Sequence, residues 1–385
     1  MRYLGIEEEV LLQNGALNTA KFIVSQPAVW HKTWLKAEAE SFAFNEFLTA
    51  NLQGIQRIIM TGTGYSASIG MSLHGYFQKV SGKMTEMIPA TSLVSHPEEY
   101  FIRNITTCMI TFARSGSSPE TVEAVKLADE LIDECYHIII TCNPNGRLAK
   151  CQTRHPNYKF LLPKEAFDKG FSMTVSYTSM LLAGMLMGEI NLINRNRRCV
   201  DTLIEYSMSF LQDKLEVCRE IAGLDFQKAI FLGSGPLLGV AGVSHFFFQE
   251  LTGGSICCDH NSFLDFRHGP QSAFSNDSLM VCMMSNNSYV RKFEDHLFSR
   301  IKKGNRNDLQ IGISEYGQIG KQMGKQFFFT HKESILPDEY LGIAMILPVQ
   351  LIAFYKSLAL GLRPDDAYKN TTNSNLVQGF RLHRF

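Results

Sequence analysis

An apolar run that ends in two glycines one residue apart, then passes directly into helix-compatible residues, leaves a backbone few choices. This chain contains it twice. Ile59 to Gly70 reads IMTGTGYSASIG and Ile230 to Ala241 reads IFLGSGPLLGVA, so Gly62 and Gly64 recur at one constant offset as Gly233 and Gly235. A strand, a Gly-x-Gly turn and a helix bring backbone N–H groups and a helix N-terminus to one point, the general device for holding an anion. A tight turn with no ligand uses the same residues. The turn alone leaves both readings open.

The segments around each turn repeat as well. Short β-branched runs at 57–61, 108–113, 137–141 and 158–162 alternate with stretches of helical period, and the second half follows with runs at 229–232, 256–258, 279–285, 309–314 and 327–330. Such alternation predicts an α/β fold, a parallel sheet between helical layers in each half. ITCN (Ile140 to Asn143) precedes IGIS (Ile311 to Ser314) by the offset of the glycines, and Ser115 precedes Ser285 by one position less. A length of 385 residues suits two domains. The expected division is a helical arm over 1–51, a first domain over 52–194, a linker helix over 195–222, a second domain over 223–364 and a tail over 365–385. In the arm, Pro27 is read as a helix start.

Composition narrows the partners. Lys plus Arg and Asp plus Glu both number 37, so no basic surplus is available to neutralise a nucleic-acid backbone. The N-terminus carries acids where a secretory signal carries positive charge, and the longest apolar run, Leu341 to Tyr355, is interrupted by Pro348 and Gln350. Nine cysteines without a Cys-x-x-Cys pair are expected to be reduced, buried and cytoplasmic, with adjacent Cys257 and Cys258 on opposite strand faces and no metal bound. A small molecule is the expected partner, with neither nucleic acid nor membrane.

The phosphate reading rests on FARSGSSPET (Phe112 to Thr121). Ser115, Gly116, Ser117 and Ser118 leave an apolar strand, and Pro119 and Glu120 start a helix, so hydroxyls and N–H groups converge where parallel sheets bind ligands. Gly64, Tyr65 and Ser66 at the first glycine turn join that set. Arg114 offers a cation to a phosphomonoester or a surface ion pair, and Ser118 taken alone reads as a helix cap. A dinucleotide site would use Ala67 as its third small residue, but offers only Glu86 for the ribose. In the second copy, MMSNNSYV (Met283 to Val290) keeps Ser285 and Ser288 without the glycine. That copy is expected to have lost the full phosphate cradle and to be free to carry chemistry.

Five further segments narrow the reading: FDKGFSMT (Phe167 to Thr174), FLGSGPLLGVA, QELTGG (Gln249 to Gly254), DFRHGP (Asp265 to Pro270) and the closing NLVQGFRLHRF, which contains Gln378. With the serine loop they resemble the sugar isomerase (SIS) domain pair of the tagatose-6-phosphate ketose/aldose isomerase group, whose members are regarded as galactosamine-6-phosphate deaminases. The resemblance implies two tandem SIS domains, an amino-sugar phosphate substrate and no cofactor. It places the general base on Glu250 and the ring-opening histidine on His268, which in related domains comes from the neighbouring subunit. It carries phosphate and substrate contacts onto Ser66, Ser115, Gly116, Ser118 and Gln378. Phe247 stands where the family usually has lysine, Tyr65 where it has threonine, and Asn375 where arginine is common.

Chemistry gives those positions sense. Moving a proton between C2 and C1 of an open-chain sugar needs one carboxylate within reach of both carbons, and the apolar helix around Glu250 would make it a stronger base by burial. A solvated helix end and a backbone-satisfied turn histidine are the competing readings of Glu250 and His268. Phe246, Phe247 and Phe248 cannot all face one side of a helix, which predicts a homodimer surface near Glu250. Glucosamine 6-phosphate as the substrate, or a non-catalytic sugar-phosphate regulator, stand as alternative functions.

Overall fold

The computed structural model describes residues 1–301, 307–315, 324–330, 335–366 and 382–383. The chain opens with a two-residue antiparallel ladder, β1 (Arg2–Tyr3) and β2 (Ile6–Glu7), followed by α1 (Glu8–Gln13) and the 35-residue α2 (Leu17–Asn51). Pro27 therefore lies inside the helix, ten residues past its first residue, rather than at its start. Two side chains account for this. Asp365 accepts hydrogen bonds from the backbone N–H of Asn18 at 2.9 Å and of Thr19 at 2.8 Å, capping the first turn from far along the chain. Proline has no N–H to give the Ile23 carbonyl, and Gln26 Nε2 donates to that oxygen instead, at 3.1 Å.

The next elements are β3 (Arg57–Thr61), α3 (Tyr65–Ser81), β4 (Met84–Met87), α4 (Ala90–Ser95), α5 (Pro97–Tyr100), β5 (Thr107–Ala113), α6 (Pro119–Leu131), β6 (Cys135–Thr141), α7 (Arg147–Lys150), β7 (Asn157–Leu161) and α8 (Val175–Gly188). Their five strands form one parallel sheet in the order β4-β3-β5-β6-β7. The expected linker helix is two helices, α9 (Ile193–Asp213) and α10 (Leu215–Gly223). Then come β8 (Lys228–Gly233), α11 (Pro236–Leu251), β9 (Cys257–Asn261), α12 (Phe263–Phe266), β10 (Ser278–Met283), α13 (Ser288–Arg300), β11 (Gln310–Ser314), β12 (Lys325–Phe328) and α14 (Asp338–Ala359). Their parallel sheet runs β9-β8-β10-β11-β12.

Both sheets thus have the same order, the second strand of each copy outermost beside the first, then the third, fourth and fifth. The register repeats too: Arg57 pairs with Thr107, and at the offset of the glycine turns Lys228 pairs with Ser278. The fourth strands depart from that offset. Ile110 pairs with Ile138 and its counterpart Val281 with Ile311, because the second copy's connection is longer by two positions. Beside the two-residue β1 and β2, one strand of the large sheets, β4, was not anticipated; it is a four-residue edge strand with Met84 exposed, too short to mark the sequence.

By internal contacts the chain forms two compact units, one built from residues 28–168 and 175–198, the other from 1–27, 169–174 and the described residues between 199 and 366. In the first unit α8 is buried over its whole length but its last residue, and a Cβ on Gly184 would lie 2.5 Å from Leu73 and 3.1 Å from Phe112. Glycine there lets α8 lie close against α3 and β5. Trp30 of α2 donates to Thr178 of α8 at 2.9 Å, which satisfies the one polar atom of a fully buried indole. Helix α14 is long and apolar enough to cross a membrane, but 94% of its most apolar stretch is buried. None of the nine cysteines is in a disulfide; Cys108, Cys135, Cys142, Cys218 and Cys282 are buried as expected, whereas Cys257, opening edge strand β9, is exposed.

Both glycine turns are set by backbone geometry. Gly64 (φ +53°, ψ −122°) and Gly235 (φ +55°, ψ −123°) occupy a region open in practice to glycine alone. Gly62 and Gly233 are needed for space: a Cβ would sit 2.7 Å from Ser66 Cβ in one and 2.3 Å from the Leu237 carbonyl oxygen in the other. Gly235→Ala meets no steric neighbour and should lose about 1–3 kcal/mol to backbone strain alone. Gly233→Ala should lose more, since the helix start itself must move. Urea midpoints falling in the order wild type, Gly235→Ala, Gly233→Ala check this.

Candidate functional site

The first unit places two of the expected loops side by side. β3 and β5 are hydrogen-bonded neighbours, and the connections leaving their C-terminal ends are the glycine turn and the serine loop. In this strand order the gap between the first and third strands is where the connections diverge to opposite faces, and ligands bind there. Tyr65 and Ser66, both buried, open α3; the Ser66 N–H closes the turn onto Thr63 O at 3.0 Å, while its hydroxyl has no hydrogen-bond partner among the described residues.

The serine loop is braced from behind. Gly116 has φ +62°, and a Cβ there would lie 3.0 Å from Thr141 Oγ1 of β6. Asn143 Nδ2 donates to the Ser115 carbonyl at 3.0 Å, and the Leu148 N–H to the Gly116 carbonyl at 2.8 Å. Ser117 Oγ accepts a hydrogen bond from the Arg147 N–H at 3.2 Å, which ties its side chain to the start of α7. Ser118 occupies the N-cap of α6, yet its side chain makes no capping hydrogen bond. Its hydroxyl is therefore not committed to the helix, contrary to the simple cap reading. Arg114 takes the ion-pair role that its position allowed: Nη1 lies 3.3 Å from Oδ1 of Asp168, whose fully buried carboxylate also accepts from the Ser176 N–H and hydroxyl. Glu86, the one candidate for a ribose contact, is bound by Arg57 Nε at 2.5 Å. A dinucleotide reading loses its acidic residue.

The second unit holds the proposed base. Glu250 lies near the end of α11, half-buried, and accepts a hydrogen bond from the Ser172 hydroxyl at 2.9 Å. The helix stops just beyond it: the Gly253 N–H bonds to Glu250 O, the Gly254 N–H to Gln249 O, and both glycines have positive φ. FDKGFSMT stands out in the sequence, but nothing local marks the tasks of Asp168 and Ser172, which are the anchors of Arg114 and Glu250. Of the three phenylalanines, Phe247 and Phe248 are buried and Phe246 is 37% exposed. His268 is exposed, with its N–H on Asp265 O at 2.8 Å and its Nε2 accepting from Arg267 Nε at 3.2 Å. It lines a cavity between α12 and α13 to which Glu250 does not contribute. Gln378 and Asn375 lie outside the described residues.

The counterpart of the serine loop, after β10, is filled from within. The Ser285 N–H donates to Glu294 Oε2 at 2.9 Å, Asn286 N–H donates to Asp338 Oδ1 at 2.6 Å, and the Ser285 hydroxyl bonds to the other oxygen of Asp338. Donors whose counterparts in the first copy would face an anion here hold the chain's own carboxylates. This is a physical reason for the predicted loss of a phosphate cradle. Burial pushes Glu294 up to about 7, against the favourable Ser285 and Ser234 contacts, and burial likewise raises Asp338 and Glu315.

These features together are those of a tandem phosphosugar-isomerase fold, and the SIS domain model matches residues 51–189. The chain is 34% identical over 99% of its length to the D-galactosamine-6-phosphate deaminase AgaS of Shewanella sp. (strain ANA-3), covering 95% of that protein, and 31% identical to the AgaS of Escherichia coli O157:H7, covering 95% of each. Its fold matches the crystal structure of tagatose-6-phosphate ketose/aldose isomerase from Escherichia coli with TM-score 0.84 and 29% identity, covering 96% of each chain. A Clostridium novyi NT protein provisionally described as the same isomerase matches with TM-score 0.94 and 31% identity over the whole of both chains. The chain belongs to the AgaS family of tandem SIS-domain proteins.

A raised acid binds more protons in the folded than in the unfolded state between the two pKa values, so its contribution to stability is present below about 4.5 and lost as pH rises through about 7. Denaturant midpoints of the wild type should therefore fall from pH 5 to pH 8. Glu294→Gln should flatten that slope, with a difference on the order of 3 kcal/mol at most. An unchanged slope would place Glu294 in an environment that does not penalise its charge.

Proposed function

We propose that the chain is an amino-sugar 6-phosphate deaminase and aldose-ketose isomerase, converting galactosamine 6-phosphate and water to tagatose 6-phosphate and ammonia. The observation that carries this reading is Glu250, a half-buried carboxylate oriented by Ser172 at the end of an apolar helix, in a chain 31–34% identical to proteins named for that deamination. After ring opening, Glu250 takes the C2 proton to give an enolamine. Delivery of a proton to C1 leaves an imine at C2, and water adds there to release ammonia and the ketose. The sequence is proton transfer and hydrolysis, with no net redox change. The Ser172 hydrogen bond fixes the orientation of the carboxylate.

The 6-phosphate sits, in this proposal, against Ser115, Gly116 and Ser118, with Gly64, Tyr65 and Ser66 closing the other side and Arg114 at the edge. Gln378, in the closing segment, contributes to the sugar. His268 assists ring opening from a second copy of the chain, and the exposed Phe246, four residues before Glu250, supports a homodimer surface there. We place the enzyme in the cytoplasm, acting on a small molecule and on neither nucleic acid nor membrane.

Ammonia release from galactosamine 6-phosphate, with glucosamine 6-phosphate in parallel, tests the reaction. Release from the gluco sugar alone would reassign the substrate, and release from neither would favour a regulatory binding protein. Glu250→Gln should keep less than a few per cent of wild-type turnover. Ser172→Ala should lower kcat about tenfold with little change in KM, the loss expected for one hydrogen bond to a charged group. Mixing Glu250→Gln with His268→Ala chains should restore activity through hybrid sites; no recovery after verified subunit exchange would place both residues in one chain.

A further inference from the structure

Within the first unit, a cavity of about 360 Å³ lies against one face of the sheet, a volume in the range of small-molecule sites. It sits toward the N-terminal ends of β3 and β5, whereas the glycine turn and the serine loop leave their C-terminal ends. The sheet itself forms one wall. Ile58 pairs across the strands with Cys108, and Ile110 with Ile138, so the four side chains share a face. Phe44 of α2, Phe77 of α3 and Met187 of α8 form the facing wall, and all seven residues are buried. Burial pushes the Cys108 thiol up to about 12, which keeps it an uncharged S–H. Water inside such walls lacks the polar partners that hold it, whereas an apolar molecule gives up nothing by entering.

Polar groups are confined to the mouth, where Thr49, Gln53 and Ser81 are exposed and Lys83 is half-buried. Three helices also end there: Leu52 follows the last residue of α2, Ser81 closes α3 and Gly188 closes α8, and all three residues line the cavity. Each helix end carries a partial negative charge of about half an elementary charge. Among the described residues Lys83 is the only charged one that lines the cavity, and it has no ion pair. Its full positive charge offsets most of the three partial ones. The mouth therefore favours neither an anion nor a cation, and offers hydroxyl, amide and carbonyl groups to one polar group of a neutral molecule.

We propose that this cavity binds an uncharged, mainly apolar small molecule of the alcohol class, with its hydrocarbon part between Phe44, Phe77 and Ile110 and its hydroxyl at the mouth beside Ser81 and Lys83. The cavity shares no residue with the substrate site proposed above and does not rest on that reading.

NMR of the full-length protein labelled at its methionine methyl groups tests it, because Met187 lies in the wall and Met187→Leu identifies its signal. Octanol should move that signal saturably and leave those of Met280 and Met345, in the other unit, in place. Octanoate and octylamine, which put the same chain on a negative and a positive head, should each bind at least tenfold more weakly. Leu52→Trp, at a half-buried position just beyond α2 and so expected to fold, should weaken octanol at least tenfold by filling the mouth. No saturable shift at Met187 would overturn the proposal. So would a charged head binding as tightly as octanol, or unchanged affinity in Leu52→Trp. A Met187 signal that moves on dilution without octanol would give the cavity to a second copy of the chain, and would overturn it as well.

Discussion

Binding in this fold depends on a turn that must carry a strand into a helix within three residues. The turn requires a backbone conformation at Gly64 and Gly235 that side chains do not tolerate, and contact distances at Gly62 and Gly233 that leave no room for one. Once it is made, the helix begins at the edge of its sheet and its first residues face the end of the neighbouring strand. The serine loop after β5 then needs only its own glycine, Gly116, and support from Asn143 and Leu148 to complete a concave rim. The side chains decide what that rim holds, and the glycines decide that there is a rim.

The two copies share this frame and differ in what fills it. In the first, the hydroxyls of Ser66 and Ser118 have no partner among the described residues. In the second, Glu294 and Asp338 accept the corresponding donors. Duplication left one rim open and one closed by internal carboxylates, at the cost of burying acids that would rather be neutral.

Legibility in the sequence followed how local each cause was. Glycine turns, strand runs and the serine loop are dictated by neighbours in the chain, so the repeat, the parallel sheets and the loop holding Ser115 and Gly116 could be read directly, whereas Glu250 stood out only through the family resemblance. Glu294 could not, because α13 reads as an ordinary amphipathic helix and its task arises only when Ser285 is brought against it. Ser172 was visible as part of a motif but not as Glu250's partner, 78 residues away. Pro27 was misread as a helix start because the local rule is sound and was overruled by Asp365 and by the Gln26 amide. The slip of the fourth strand came from aligning ITCN with IGIS by composition, where the hydrogen-bonded register aligns Thr141 with Ser314.

The cap on α2 has a consequence for the order in which the protein is made. Thr19 leaves the ribosome well before the carboxylate that receives its N–H, which follows 346 positions later. At about 5 to 20 residues per second that interval is roughly 20 to 70 s. For all that time the start of the long helix has neither its cap nor the rest of its compact unit, which is built mostly from residues after 199. The nascent chain must therefore carry the segment from Met1 to Pro27 unfinished, while the serine-loop unit, whose parts are all synthesised by Arg198 apart from the closing segment, can already collapse around its sheet.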